Sequence, residues 1–290
     1  MPNTPQLTTE RGAQITKRAP RALCLWSSIL CLLILPPAVR ADDCPRIVSQ
    51  SPYLTRALEW LGRGACIVGV SRYEREDMAL PRTGGILDPD AEAIHALAPD
   101  LIVTSNWADA ERMAKVTPPG ARLLRLDGFS SLADVENMLE TLAKASRAKD
   151  GAAKIAAFGK TWREAASRLA AQNRGRRVLV LSSCMGSPYS FGREHLIGDI
   201  FAQAGFDIAE SAPKIHHADI KTLIAKANPE IVVALGSQSA ESCRMIAPSL
   251  KVKVVGLDAA HFIHPGPGLL EAYAEMLEAF QGDCTIHSRC

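Results

Sequence analysis

The stretch IHALAPDLIV at residues 94–103 recurs, 130 positions later, as IAKANPEIVV at residues 224–233. Each copy reads as the end of a helix, a turn made by a proline and an acid, and a buried parallel strand. A second pair, RIVSQS at 46–51 and RVLVLSS at 177–183, repeats at nearly the same offset. The duplication predicts two similar α/β lobes with a small-molecule cleft between them.

Apolar runs and helical periodicity give the order of elements. Strands are predicted near residues 46–50, 66–70, 101–105, 122–126, 177–182, 231–235 and 252–257. Helical periodicity without proline runs from Leu132 to Gln172, with one possible interruption at Asp150-Gly151. We therefore predict an α/β fold of two Rossmann-like lobes, each with a parallel central sheet, joined by a long helical connection. The predicted boundaries are 42–130 for the first lobe, 131–174 for the connection and 175–290 for the second lobe.

Residues 1–41 have the pattern of a signal peptide. Basic residues precede an almost uncharged run at 22–35, and the small residues Val39 and Ala41 stand before a cleavage point at Asp42. An N-terminal membrane anchor is the alternative, although the apolar run is short for a span. We expect a soluble exported protein.

Charge and cysteine content follow from this processing. Removal of the segment takes away five basic residues and one acid, so the formal charge changes from +2 to −2 and no nucleic-acid surface is predicted. Six cysteines remain, and an even number in an exported chain favours disulfides. We expect pairs within each lobe, Cys44 with Cys66 and Cys184 with Cys243, and a third pair of Cys284 with Cys290.

The sequence lacks the common catalytic signatures. It has no glycine-rich dinucleotide loop after a strand, no Walker loop, no G-x-S-x-G turn and no H-E-x-x-H. The stretch GSQSA at 236–240 lacks the second glycine of a nucleophile turn, and Ser182 and Ser183 end a strand with no acid–base set beside them. We predict a binding protein that is not an enzyme and has no resident cofactor.

An ordered set of short motifs carries a family resemblance. The motifs are RIVSQSP at 46–52, LG at 61–62, VGVSRY at 68–73, EAIHALAPDL at 92–101, FG at 191–192, AG at 204–205 and HPGPGL at 264–269. From about 45 to 281 the chain resembles the helical-backbone class of periplasmic substrate-binding proteins, which serve ABC importers for cobalamin, ferric siderophores and haem. The cobalamin-binding members are nearest by motif. Gly268 stands where the family has an arginine.

The resemblance implies a function and a set of partners. It implies a periplasmic monomer that binds a cobalt or iron chelate and delivers it to an ABC permease and its ATPase at the inner membrane. A corrinoid of the cobalamin type is the first expectation, a ferric siderophore the second and haem the third. An exported chelate-binding sensor or enzyme with the same fold is the alternative from another class.

Aromatic and histidine residues are the candidate ligand contacts. By the resemblance, Tyr73 and Tyr189 fall where aromatic residues line the cleft, and flat macrocycles favour aromatic walls. Trp107 follows the strand that ends at Ser105. Two histidine-containing loops stand where the cobalamin binders have tryptophans, and imidazoles there would bind a metal centre or the amide fringe of a corrinoid. The predicted ligand-binding residues are Tyr73, Trp107, Tyr189, His216, His217, His261 and Phe262, with His216 and His261 as candidate metal ligands.

Permease docking in this class uses an acidic residue on the outer rim of each lobe. Glu92 matches that position in the first lobe. The equivalent position in the second lobe is Thr222, which leaves Asp219 as the acid that would substitute for it.

Overall fold

In the computed structural model, which describes residues 44–183, 188–217, 219–236 and 252–280, the first lobe is built on a four-stranded sheet. The strands are β1 (Ile47–Ser49), β2 (Ile67–Val70), β3 (Leu101–Ser105) and β4 (Arg122–Leu126). They lie in the order β2-β1-β3-β4, and every pair is parallel. The helices of this lobe are α1 (Pro52–Trp60), α2 (Ala91–Ala96) and α3 (Ala110–Val116), with a short 3-10 helix at Gly64–Cys66.

The second lobe has a mixed sheet. Its strands are β5 (Arg177–Leu181), β6 (Tyr189–Phe191), β7 (Asp207–Ile208), β8 (Ile215–His217), β9 (Ile231–Leu235) and β10 (Lys253–Leu257), in the order β10-β9-β5-β6-β8, with β7 beside β5. The pairs among β5, β7, β9 and β10 are parallel, whereas β6 and β8 are antiparallel to their neighbours. The helices are α6 (Leu196–Gln203), α7 (Ile220–Ala227), α8 (Ala259–Phe262) and α9 (Leu269–Phe280). The predicted fold class is confirmed, and the antiparallel ribbon is an addition to it.

Two helices form the connection between the lobes. They are α4 (Leu132–Ser146) and α5 (Gly151–Asn173). The residue that caps the C-terminus of α4 is Arg147, whose φ of 59° is left-handed. A helix of 23 residues is about 35 Å long. On α5, Trp162 stacks on Tyr273 of α9 with ring centroids 6.3 Å apart. None of the described helices is both long and apolar enough to cross a membrane; the predicted signal peptide lies outside the described residues.

The first copy of the duplicated motif is held by an arginine that precedes β1. The Arg46 side chain donates from Nε to the carbonyl of Leu97 at 3.1 Å, which caps the end of α2. Its backbone N–H donates to the carboxylate of Asp100 at 2.8 Å. Between them, Ala98 has a φ of 41°, so the chain reverses before the proline.

The second copy repeats these contacts with separations one residue shorter, 50 and 53 positions instead of 51 and 54. The Arg177 side chain donates from Nε to the carbonyl of Ala227 at 2.8 Å, and its backbone N–H donates to Glu230 at 3.0 Å. Asn228 has a φ of 43°. The arginine and the acid therefore fix the helix–turn–strand geometry at the amino ends of β1 and β3 in the first lobe and of β5 and β9 in the second.

A disulfide joins Cys44 to Cys66, which confirms the pairing predicted for the first lobe. It ties the start of the lobe to the residue just before β2. The predicted pairs that involve Cys184, Cys243, Cys284 and Cys290 fall on residues outside the described ranges.

Loss of this disulfide is expected to lower the free energy of unfolding by about 3 kcal/mol, because the bond closes a loop with a sequence separation of 22. Urea unfolding of the Cys44→Ala/Cys66→Ala double variant measures the effect. A change below about 1 kcal/mol would contradict the expectation. A Cys44→Ala single variant shows whether a free thiol alone alters the result.

His195 caps helix α6 and makes stability depend on pH. Its Nδ1 accepts the backbone N–H of Ile197 at 3.1 Å, so the folded protein needs the neutral imidazole. Burial lowers the pKa of His195 from 6.5 to about 4. The unfolded chain therefore binds more protons between these two values, and the contribution is complete above pH 6.5 and lost as the pH falls towards 4.

We expect His195 to account for a loss of about 2 kcal/mol of unfolding free energy between about pH 7.5 and about pH 4.5. The His195→Asn variant keeps an acceptor at the helix start but does not titrate, so its loss over the same interval should be smaller by that amount. Urea unfolding of both proteins at the two pH values tests this. Parallel pH profiles would show that His195 has no such role.

Candidate ligand-binding site

Large apolar side chains are exposed where the strands of both sheets end. In open parallel sheets, ligands bind beyond the carboxyl ends of the strands. The exposed large apolar residues of the described part of the chain are Tyr73, Leu87, Trp107, Tyr189, Ile215 and Ile263. The three aromatic members were each predicted as ligand contacts, and they expose 66%, 60% and 50% of their surface in chain order.

Tyr73 lies on the loop that follows β2. Its backbone N–H donates to Ser71 Oγ at 3.1 Å, and its ring packs on the chain at Gly85, where an added Cβ would lie 2.8 Å from ring atom Cε2. The guanidinium of Arg72 lies 6.0 Å from the ring centroid and pairs with Asp88 at 2.6 Å. One edge of the phenol therefore contacts the chain at Gly85, while most of the side chain is open to solvent.

Trp107 lies on the loop that follows β3. Its backbone N–H donates to Ser105 Oγ at 3.2 Å, and the indole stacks on Phe129 with centroids 4.8 Å apart and an angle of 28° between the planes. Phe129 follows β4, the neighbouring strand in the sheet. The first lobe thus presents two aromatic rings from adjacent strand ends.

Tyr189 and His217 form the aromatic surface of the second lobe. They are opposite one another in the β6–β8 ribbon, and their ring centroids lie 4.9 Å apart. Ser182 fixes this end of the ribbon, because its Oγ accepts the backbone N–H of Tyr189 at 2.9 Å. Both predicted residues are therefore brought together on one exposed face.

His216 lies on the other face of the same ribbon, against a buried carboxylate. Its Nδ1 is 3.3 Å from Glu210, which also accepts the hydroxyl of Ser190 and the backbone N–H of Ala212. Burial has the largest single effect and raises the pKa of Glu210, but these hydrogen bonds together bring it below its ordinary value. His216 therefore pairs with a buried carboxylate through Nδ1 while 42% of its side chain remains exposed.

The structure removes Phe262 from the predicted ligand contacts and places His261 beside two acids of α9. Both ring nitrogens of His261 face acids of α9: Nδ1 is 2.9 Å from Glu275 and Nε2 is 3.6 Å from Glu271. The hydrogen bond with Glu275 raises the pKa of His261. Phe262 has no exposed surface and stacks on Phe201 at 5.9 Å, so it is a core residue and is removed from the predicted ligand contacts.

The two lobes meet at an aromatic contact that the sequence interpretation missed. Tyr53, in the first turn of α1, packs edge-on against Phe129 at 5.5 Å and stacks on His264 at 6.2 Å. Burial raises the pKa of Tyr53 to about 12, so the phenol stays neutral. Desolvation and the nearby Arg56 lower the pKa of His264. The HPGPG motif at 264–268 was the available signal, since it marks a fixed loop before the last helix.

The predicted docking residues lie at equivalent places in the two lobes. Glu92 is exposed in the first turn of α2, and Thr222 is exposed in the first turn of α7. The backbone N–H and hydroxyl of Thr222 donate to Asp219 at 3.0 and 2.9 Å, and these bonds lower the pKa of that carboxyl. The second lobe therefore carries an exposed carboxylate beside the position of Thr222.

The profile of a family described as periplasmic binding proteins matches residues 47–248, well over half of the chain. The chain belongs to the periplasmic binding protein family. A search of curated protein sequences returned no significant match.

Solved structures of periplasmic binding proteins share the fold over most of this chain. The vitamin B12 binding protein BtuF of Vibrio cholerae has a TM-score of 0.69 at 20% identity, covering 82% of this chain and 97% of its own. The heme-binding protein RhuT of Roseiflexus sp. RS-1 has a TM-score of 0.66 at 22% identity, covering 82% and 98%. A possible iron-binding protein of Staphylococcus epidermidis has a TM-score of 0.69 at 15% identity, covering 82% and 98%.

Proposed function

We propose that this periplasmic binding protein captures a corrinoid of the cobalamin type between its lobes and delivers it to the permease of an ABC importer. The observation that carries the proposal is the placement of Tyr73, Trp107 and Tyr189, which expose their rings at the strand ends of both sheets. Exposed aromatic surface of this kind marks a binding groove, and a large flat ligand contacts several rings at once. Binding between the lobes would favour a closed form that the permease recognises.

The relatives support a metal chelate as the ligand class. Solved structures with the same fold are described as binding vitamin B12 or heme, and one as a possible iron-binding protein. A ferric siderophore and haem are therefore the alternatives to a corrinoid. The cobalt or iron ion belongs to the ligand in each case, so the proposal needs no cofactor and no catalytic step.

The histidines of the β6–β8 ribbon have separate proposed roles. His217, stacked on Tyr189, extends the aromatic contact of the second lobe. His216 has a side chain that is 42% exposed on the opposite face of the ribbon from Tyr189 and His217, which suits a bond to an amide of the corrin edge rather than to the metal centre. His261 is not proposed as a metal ligand, because its Nδ1 already pairs with Glu275 at 2.9 Å and the carboxylate of Glu271 lies 3.6 Å from its Nε2.

Partner recognition is proposed for the rim acids. Glu92 on the first lobe and Asp219 on the second would contact cationic side chains of the permease, and charge complementarity fixes orientation and speeds encounter. An ATPase at the inner membrane would drive import, and the binding protein would act as a monomer in the periplasm after removal of the signal peptide.

A ligand panel tests the proposal. Cyanocobalamin, cobinamide, haem and a ferric siderophore are added separately to the purified protein while visible absorbance and tryptophan fluorescence are recorded. A corrinoid is expected to bind at a single site and to quench Trp107. The Trp107→Phe variant should lose most of the quenching, whereas Trp60→Phe should keep it, because Trp60 packs on Phe158 of α5. Binding of haem or siderophore alone would overturn the corrinoid assignment, and no binding at all would reject the proposed ligand class.

A further inference from the structure

Trp107 lies on a short loop, and its side chain is largely exposed. The orientation of the indole therefore depends on how the loop backbone is held. Arg125 of β4 provides that support: its Nη2 donates to the carbonyl of Asn106 at 2.7 Å and to the carbonyl of Ala108 at 2.8 Å. The two carbonyls lie on either side of Trp107. One guanidinium nitrogen thus bonds the backbone carbonyls of the two residues on either side of Trp107.

The neighbouring contacts explain why an arginine is needed at this place. Strand β4 pairs with β3 up to the register of Leu126 with Ser105, and the backbone N–H of Asn106 donates to Leu126 at 2.8 Å. Beyond that point the loop leaves the sheet, and the ladder supplies no further bonds. Charge-assisted bonds from a rigid planar guanidinium are strong and directional, so they continue the restraint past the end of the strand.

We propose that Arg125 is a positioning residue for ligand binding, which holds Trp107 stacked on Phe129 in the orientation that receives the chelate. This inference rests on the proposed function, since it assumes that Trp107 contacts the ligand. An ordered ring loses less conformational entropy on binding than a mobile one. Arg125 would therefore raise affinity without touching the chelate.

The expected effect of Arg125→Ala is a loss of about tenfold in affinity for cyanocobalamin, through the cost of immobilising the freed loop. The matched control is Arg122→Ala, which removes an exposed arginine from the same strand and should leave affinity unchanged. A double-mutant cycle separates a role in positioning Trp107 from a general effect of Arg125 on the fold. In a Trp107→Ala background, Arg125→Ala should have no further effect on affinity.

A second readout works without ligand. The protein is labelled with 5-fluorotryptophan, and the fluorine resonance of Trp107 is assigned by its absence in Trp107→Phe. We expect one narrow resonance in the wild type and a broadened or split one in Arg125→Ala, with the other tryptophans unchanged. If the alanine variant does not fold, Arg125→Lys keeps the charge with poorer geometry and should give an intermediate broadening.

Two results would overturn the inference. One is an unchanged Trp107 resonance in Arg125→Ala. The other is a loss of affinity on Arg125→Ala that is equally large in the wild-type and Trp107→Ala backgrounds. If the wild-type protein binds none of the chelates, the proposed function fails. In that case the role of Arg125 in binding fails with it, while the fluorine spectra still decide whether Arg125 orders Trp107.

Discussion

Replacing Tyr73 and Trp107 together by alanine is expected to lower the affinity of the protein for its chelate about a thousandfold. Tyr73 follows β2 and Trp107 follows β3, two strands separated by β1, and each exposed ring also contacts the protein, at Gly85 and Phe129 respectively. Aromatic anchors at binding sites are commonly worth about 2 kcal/mol or more each, and about 4 kcal/mol corresponds to a thousandfold change. Titration of the double variant followed by visible absorbance of the ligand measures the loss.

A matched control separates aromatic stacking from exposed apolar area in general. Leu87 is exposed by 68% on the same lobe but has no ring, so Leu87→Ala should change affinity less than about threefold. Circular dichroism and urea unfolding establish that the variants keep their fold. A double variant that binds within tenfold of the wild type would show that these rings are not the main contacts.

Introducing a Cβ at Gly198 is expected to prevent stable folding of the second lobe. Gly198 lies in α6 against the chain at Gly192, and a Cβ there would overlap the carbonyl oxygen and lie 2.6 Å from the carbonyl carbon. Both neighbours are backbone, so no side-chain rotation relieves the clash. We expect Gly198→Ala to lower the free energy of unfolding by more than about 4 kcal/mol, or to abolish soluble expression.

The clash at Gly198 matters because Gly192, the residue it would displace, supports the β6–β8 ribbon. Gly192 follows β6 and donates its N–H to the carbonyl of Lys214 at 2.6 Å, which fixes the segment that leads into β8. Gly268 is the control, because an added Cβ at that position meets no atom within 4 Å. Gly268→Ala should therefore be within about 0.5 kcal/mol of the wild type in urea unfolding. A Gly198→Ala protein of near-normal stability would mean that α6 packs differently.

The sequence was sufficient to predict the elements that depend on local patterns. The helix–proline–acid–strand motif is determined within a few residues, and it appears in both lobes with matching arginine contacts at Arg46 and Arg177. The strands that carry this pattern lie where they were predicted. Tyr73 and Tyr189 were predicted from the resemblance and Trp107 from its place after the strand that ends at Ser105, and all three side chains are exposed.

The parts that were missed depend on contacts between distant segments. Strands β6 and β8 have three residues each, too few for periodicity to show, and they exist because they pair with one another and with β5. Phe262 lies on a four-residue helix, where the buried face cannot be read from the sequence. The stacking of Tyr53 on His264 requires the two lobes to meet, so no local sequence pattern predicts it.

A structure of the protein with cyanocobalamin bound would show directly whether both lobes hold the ligand. We expect one corrin ring between the lobes, in contact with Tyr73 and Trp107 on one side and with Tyr189 and His217 on the other. A corrinoid bound to one lobe alone, or located away from the strand ends of both sheets, would contradict it.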